Sequence, residues 1–377
     1  MNEPIRILHV LTAMDMAGTE TLLMNIYRNI DRDRVQFDFA VSASAECAYD
    51  REICDMGGKI IHYPRYRGVN HFAYKKWWRE FLVSHPEYRI VHGHIGSTAA
   101  IYLGIAKKLG RYTIAHSHST ASTVSLHSVL YGIYAYPTRF IANQFFGCSK
   151  QALIDRYGKV VANDSSRARV INNAIDAKKF VYNEDIRKNI RDEYGIKSDE
   201  MILATVGRLT KQKNPYEIIR ICGMLKTRGF EFRFLWFGTG ELEEELRREV
   251  LDKKLEGTVM FMGNRSDIHN VLQAADIFLF PSIWEGLGIA CVEAQAAGLI
   301  TLCSDTIPSE AKVTSLCRYL PIDDTKLWCE SIEESVKIIR SQGYKRPDTY
   351  IDVVKSGFDI VEVAGWLQEY YLNRVEE

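Results

Sequence analysis

Short, nearly continuous apolar runs alternate with amphipathic segments along this chain, and the alternation comes in two separate series. Such runs read as strands covered on both faces, and the segments between them as the helical crossovers that parallel strands require. The first series is IRILHVL (5–11), VQFDFAV (35–41), KIIHYP (59–64), YRIVHGH (88–94), RYTIAHSH (111–118) and QFFGCS (144–149), with helical patterns over 20–30, 72–83, 99–109 and 126–142. The second is MILATVG (201–207), FRFLWFG (232–238), TVMFMG (258–263), DIFLFPS (276–282) and LITLCS (299–304), with helices over 215–227, 242–253, 267–275 and 289–297. A polar, charge-rich stretch over 172–197 reads as the connection. Beyond residue 323 the pattern is helical and ends in an amphipathic helix over 361–374.

A chain of 377 residues exceeds what one core normally serves, about 250–300. The expected fold class is therefore α/β with two facing Rossmann-like, doubly wound domains and a cleft between them. The boundaries read as 1–172 and 173–357, with a last helix over 358–377 packing back on the first domain. Formal net charge is zero, with 48 basic and 48 acidic residues, which argues against a nucleic-acid binder. The neutral total hides an asymmetry, because residues 1–172 hold 21 Lys/Arg against 14 Asp/Glu while nine of the ten histidines fall before residue 128. Eight cysteines form no CxxC pair, no secretory signal opens the chain and no apolar run reaches the ~18–20 residues of a bilayer span. These features read as a cytoplasmic protein with reduced thiols.

Ligands of open α/β sheets bind beyond the carboxyl ends of the strands, and the informative motifs lie there. After DIFLFPS comes the loop Glu285-Gly286-Leu287-Gly288, and seven residues separate Glu285 from a second glutamate, Glu293. The glycines allow backbone N–H groups close to a ligand at a helix start, and two acceptor-only carboxylates suit vicinal hydroxyls of a sugar or ribose. After MILATV, Gly207-Arg208 and Lys213-Asn-Pro215 set two cations beside another helix start, which suits a diphosphate or is simply a solvated basic turn. Phe237-Gly-Thr-Gly240 and Gly263-Asn264-Arg265-Ser-Asp267 end two more strands. In the first series, Met16-Ala-Gly18 precedes a helix, and His92, His94, His116 and His118 crowd two strand ends. Four histidines can suggest a metal, but no carboxylate sits at ligand spacing and none is expected.

The run from Asp276 to Gly298, DIFLFPSIWEGLGIACVEAQAAG, resembles the E-x7-E signature of retaining glycosyltransferases of the GT-B fold, family 4, of the bacterial exopolysaccharide and capsular polysaccharide type. Four further motifs match in order, so the resemblance covers nearly the whole chain. It implies a hexosyltransferase moving a sugar from a nucleotide-sugar donor, UDP by family habit, to a glycan or lipid-linked saccharide. It further implies Glu293 on the ribose, Glu285 on the sugar, Arg208 and Lys213 on the diphosphate, and Asn264 and Arg265 along the base. Gly286, Leu287 and Gly288 would line the donor, Gly18 would approach it, and His118 would reach the donor sugar at the reaction centre. No cofactor or metal is implied. Two departures stand out: Ala17-Gly18 where the family has two glycines, and Asn173 where Asn172-Asn173-Ala-Ile-Asp176 should carry a glycine, a residue expected to take the left-handed conformation.

The segment 63–81 mixes five basic residues with Trp77 and Trp78, which suits peripheral contact with the inner face of an anionic membrane. It equally reads as a helix burying Phe72, Trp78 and Phe81 under a solvated basic face. Rival functions are a sugar-nucleotide epimerase on the same fold and an inactive nucleotide-sugar-binding scaffold. A Rossmann dehydrogenase is excluded, because no GxGxxG with a downstream acid follows the first strand.

Overall fold

The computed structural model describes residues 3–15, 18–118, 135–343 and 345–376. It divides into two units, residues 1–174 with 360–377, and residues 175–359. The first holds seven parallel strands: β1 (Ile5–Leu11), β2 (Val35–Val41), β3 (Ile60–His62), β4 (Ile90–Gly93), β5 (Tyr112–Ser117), β6 (Gln144–Gly147) and β7 (Ala168–Val170), in the order 3-2-1-4-5-6-7. The second holds six: β8 (Ile202–Val206), β9 (Arg233–Phe237), β10 (Val259–Gly263), β11 (Ile277–Phe280), β12 (Ile300–Ser304) and β13 (Cys317–Leu320), in the order 10-9-8-11-12-13. Each is a doubly wound, Rossmann-like unit. In each the strand order reverses once, between β1 and β4 and between β8 and β11, and such a reversal opens a crevice at the strand ends.

The apolar runs are uninterrupted because both faces of each sheet are covered. Ile202, Ala204, Phe278 and Phe280 enter one core of the second unit, while Leu203, Ile277 and Leu279 enter the core on the other face. That alternation is the period-two geometry of a strand. The first sheet is likewise sandwiched, with Ile7 and Phe37 on one side and Leu8 and Val10 on the other.

Three expectations need correction. Strands β7 and β13 were not legible, because three and four residues carrying Arg169 and Arg318 make no apolar run. The stretch 172–197, which contains the boundary between the units, is more than a polar connection. It forms helices Ala177–Phe180 and Glu184–Glu193, and two of its arginines are buried: Arg187 Nη2 lies 2.6 Å and Arg191 Nη1 3.5 Å from the carboxylate of Asp276. Arg187 also donates to the carbonyls of Gln273, Ala274 and Ala275, closing the end of helix Ile268–Ala274, whose dipole favours cations there. Asn173 is not left-handed, since among the described non-glycine residues only Asn214 and Lys254 have positive φ. The expected helix over 126–142 falls largely outside the described residues, which contain its last part as Thr138–Ile141.

Helix Ile360–Glu376 belongs to the first unit. Its Gln368 accepts from the Asp31 N–H at 2.6 Å, and its Tyr371 hydroxyl lies 2.6 Å from His92 Nδ1. Among the described residues no helix is long and apolar enough to cross a membrane.

Candidate active site

In the second unit the two strands at the reversal deliver the charged loops. Strand β8 leads into Gly207-Arg208 and a short turn at Lys211–Lys213, and β11 leads into the loop carrying Glu285. Lys213 Nζ lies 2.6 Å from Glu285 Oε1 and 4.7 Å from the centre of the Phe280 ring. Gln212 strengthens the same join, donating to the Trp284 carbonyl at 2.9 Å while its own carbonyl accepts from the Ile283 N–H at 2.8 Å. Gly207 is small for a reason, since a Cβ there would lie 3.0 Å from the Lys213 stem. Asn214, left-handed at φ 51°, turns the chain so that Pro215 can open helix Pro215–Thr227. Arg208 is exposed and makes no hydrogen bond or ion pair to any described side chain, so its charge is available.

The strand ends of β9 and β10 support this loop from below. Gly238 has φ 139°, and a Cβ on it would sit 2.2 Å from the Gly207 carbonyl oxygen; one on Gly240 would sit 2.4 Å from that of Leu209. Both glycines therefore exist to let two backbones touch, and the Leu209 N–H donates to the Thr239 carbonyl across the contact. A cavity of about 210 Å³ opens here, lined by Arg208, Asn264 and Arg265 together with Gly207, Gly238 and Ile268. Three of the five Arg265 donors are engaged, by Asp267 (2.8 and 2.9 Å) and Glu193 (3.1 Å), which fixes the guanidinium plane beside the cavity. Asn264 Nδ2 donates to Thr239 Oγ1 at 3.1 Å.

Gly288, at φ 89°, caps helix Ile289–Ala296, and Leu287 beside it is buried. A side chain at Gly286 would meet nothing within 4 Å, so that backbone faces open space. Glu293 is the fifth helical residue. Its carboxylate makes no hydrogen bond or ion pair to a described residue, and burial pushes it up to about 7. An unpaired, poorly solvated carboxylate next to a helix N-terminus is primed to accept hydroxyl donors. Two residues before it, Cys291 joins Cys303 and Cys317 in a buried thiol cluster, with Sγ–Sγ distances of 3.1 Å and 3.8 Å to Cys303.

In the first unit, Gly18 opens helix Gly18–Asn29 with nothing within 4 Å of a Cβ position, while Met16 and Ala17 lie outside the described residues. The four histidines singled out from the sequence converge with a fifth, His9. Its placement follows from register, because His9 of β1 sits opposite His92 of β4. His94 contacts both His9 (3.0 Å) and His118 (2.7 Å) through its ring nitrogens. His9, His92 and His94, and His94, His116 and His118, have spacings that could hold a cation, but no carboxylate joins either group. In the 63–81 segment Trp78 is fully buried and Trp77 stacks on Phe81 at 5.0 Å, but Phe72 is 85% exposed and so does not serve the core as expected.

Two Rossmann-like units with charged loops at the carboxyl ends of the strands define the GT-B fold. Residues 186–315 match the family described as Glycosyl transferases group 1. The chain is 28% identical to the putative glycosyltransferase EpsF of Bacillus subtilis (strain 168), over 97% of this chain and 96% of that one. It is 27% identical to the UDP-Gal:alpha-D-GlcNAc-diphosphoundecaprenol alpha-1,3-galactosyltransferase of Escherichia coli, over 59% of each. Among solved structures it is similar to Anabaena Alr3699/HepE in complex with UDP, at TM-score 0.80 and 16% identity, covering 98% of this chain and all of that one. WaaG, a glycosyltransferase involved in lipopolysaccharide biosynthesis, aligns at TM-score 0.66 and 15% identity over 96% and 95%. The match to glycosyl transferases group 1 thus spans most of the second unit, and the chain is a transferase of the GT-B fold.

Proposed function

We propose that the chain is a retaining family 4 glycosyltransferase, moving a hexosyl group from a UDP-sugar to a glycan or lipid-linked saccharide in cell-surface polysaccharide assembly. The observation that carries this reading is the grouping at the β8/β11 reversal: a free Arg208, the Lys213–Glu285 pair, and an unpaired Glu293 beside a glycine-capped helix start. In this reading Glu293 accepts from the ribose hydroxyls and the 210 Å³ cavity takes the base between Asn264 and the face of Arg265. Glu285, held in place by Lys213, accepts from a sugar hydroxyl. Gly18 and His118 of the first unit act at the transferred sugar. The bond between the anomeric carbon and the diphosphate oxygen breaks, the acceptor oxygen bonds to that carbon from the same face, and its proton passes to the departing diphosphate. Arg208 and Lys213 offset the charge that develops on the leaving group, so the step calls for neither a metal nor a covalent nucleophile.

We assign peripheral membrane contact to the first unit, consistent with cytoplasmic synthesis on a lipid-linked acceptor. A groove of about 810 Å³ is lined by Ile101, Ile105 and Phe140 together with Lys75, Lys107 and Lys108, and Val69 and Phe72, next in sequence to its Gly68 and His71, are 95% and 85% exposed. Apolar side chains mixed with lysines suit an anionic lipid surface.

The test is calorimetric titration of UDP, GDP, ADP and CMP into wild type and Glu293→Ala, followed by product analysis with UDP-sugars with and without saccharide acceptor. UDP binding lost in the variant, and acceptor-dependent product, support the reading. Conversion of donor alone to an epimer, or nucleotide binding with no turnover of any donor, would replace it by the epimerase or the inactive scaffold.

A further inference from the structure

Five clustered histidines of the first unit, three of them buried (His9, His92 and His116) and two half-buried (His94 and His118), sit toward the carboxyl ends of β1, β4 and β5, three adjacent strands around its order reversal. Their rings pile on one another, with centres 4.4 Å apart for His92 and His94 and 4.0 Å apart for His116 and His118. Within the pile three rings form a chain: His9 Nδ1 lies 3.0 Å from His94 Nε2, and His94 Nδ1 lies 2.7 Å from His118 Nε2. The outer nitrogens, His9 Nε2 and His118 Nδ1, are buried and make no hydrogen bond to a described residue.

Each short N···N contact holds one proton between two nitrogens. Three neutral imidazoles carry three protons on six nitrogens, so two protons fill the links and the third lies at one end. Only two arrangements satisfy both links: protons all directed from His9 toward His118, which leaves N–H on His118 Nδ1, or all directed the other way, which leaves that nitrogen bare. Burial keeps the chain neutral, pushing His9 and His118 down to about 3 and His94 well below the ordinary range. The other titratable groups facing it are His92, whose Nδ1 is held by Tyr371, and His116, both depressed in the same way, and the Tyr371 hydroxyl, whose pKa is raised by burial.

We propose that His94 and His9 are positioning residues that fix the ring orientation and the tautomer of His118, so that this histidine meets the substrate as a neutral partner of one set hydrogen-bonding sense. This rests on the reading of His118 as a residue of the reaction centre. The sense of His118 Nδ1 is thereby coupled to that of the distant His9 Nε2, one donating only when the other accepts, without moving any atom but protons.

The experiment is long-range 1H–15N correlation on protein labelled in its histidine rings, for wild type, His9→Leu, His94→Asn and His94→Leu, beside kcat and KM for the donor. His94→Asn keeps a polar atom near Nδ1 and severs only the link to His9. Wild type is expected to show one neutral His118 tautomer from pH 6 to 8, and His9→Leu and His94→Asn a mixture. With an active donor, His94→Leu is expected to lower kcat on the order of 100-fold at little-changed KM, with partial rescue in His94→Asn. A His118 tautomer identical in all folded variants, checked by near-ultraviolet circular dichroism, overturns the proposal. A tautomer that shifts in a protein that turns over no nucleotide-sugar would leave the coupling standing and remove the transferase reading beneath it.

Discussion

Lys213 and Glu285, 72 residues apart in sequence, meet at 2.6 Å with side chains only 18% and 9% exposed. One ion pair thus ties the loop after β8 to the loop after β11, and the cation proposed for the leaving group also sets the position of the carboxylate proposed for the sugar. Among the described residues Arg208 has no such partner. Lys213→Ala should therefore cost about 1–3 kcal/mol of stability and lower kcat roughly 100-fold or more. Arg208→Ala should stay within about 0.5 kcal/mol of wild type yet weaken nucleotide diphosphate binding. Denaturant titration beside calorimetry separates the two; equal destabilisation would contradict the assignment.

Glu293 carries a burial penalty with a defined sign. Because its folded value is raised to about 7 from 4.5, the native state holds more protons between those values and stability declines as pH rises through that window. Above pH 7 the charge costs on the order of 2–3 kcal/mol. Glu293→Gln should raise the melting temperature at pH 8 but not at pH 4.5, while UDP affinity drops. Wild-type UDP affinity should itself strengthen from pH 6 to pH 8.

The glycines of the second unit divide into two kinds. Gly238→Ala forces a Cβ to within 2.2 Å of the Gly207 oxygen at a φ of 139°, so expression of folded protein should fall sharply. Gly286→Ala meets no atom within 4 Å and should fold normally with a weaker donor KM. Soluble yield and KM, measured on both, test the division.

The histidine pile makes the first unit sensitive to acid. All five rings are held below the ordinary value, so below about pH 6.5 the unfolded chain binds protons that the folded chain refuses. Each then removes about 1.4 kcal/mol per pH unit until its folded value is reached. Melting temperature should be flat from pH 8 to 7 and fall steeply from 6.5 to 5. His116→Phe, which deletes one share, should flatten that fall.

Phe72→Ser with Val69→Ser should reduce sedimentation with phosphatidylglycerol vesicles several-fold while leaving activity on a soluble acceptor intact. Unchanged sedimentation would assign this exposed pair no lipid contact.

All strands but β7 and β13 were readable because doubly covered strands need unbroken apolar runs, and the E-x7-E loop because its glycines and carboxylates have few other uses in that place. What the sequence concealed depends on partners distant along the chain. Arg187 and Arg191 looked like linker polarity until Asp276 stood beside them. Gly238 looked like a ligand loop, but its constraint is the carbonyl of Gly207. His9 looked like one polar residue in an apolar strand, and only the β1/β4 register brings it to His92 and His94. Phe72 satisfied a helical apolar pattern, but pattern alone does not say which stripe the core takes.

The first unit is built from residues 1–174 and 360–377, with the whole second unit lying between them in the chain. On the ribosome, therefore, the seven-stranded sheet emerges first and waits, lacking the helix that carries Gln368 and Tyr371, while 185 residues of another unit are made. The sheet that precedes the second unit is completed only by residues that follow it, so loss of residues 360–377 strikes the first unit and not the neighbouring one.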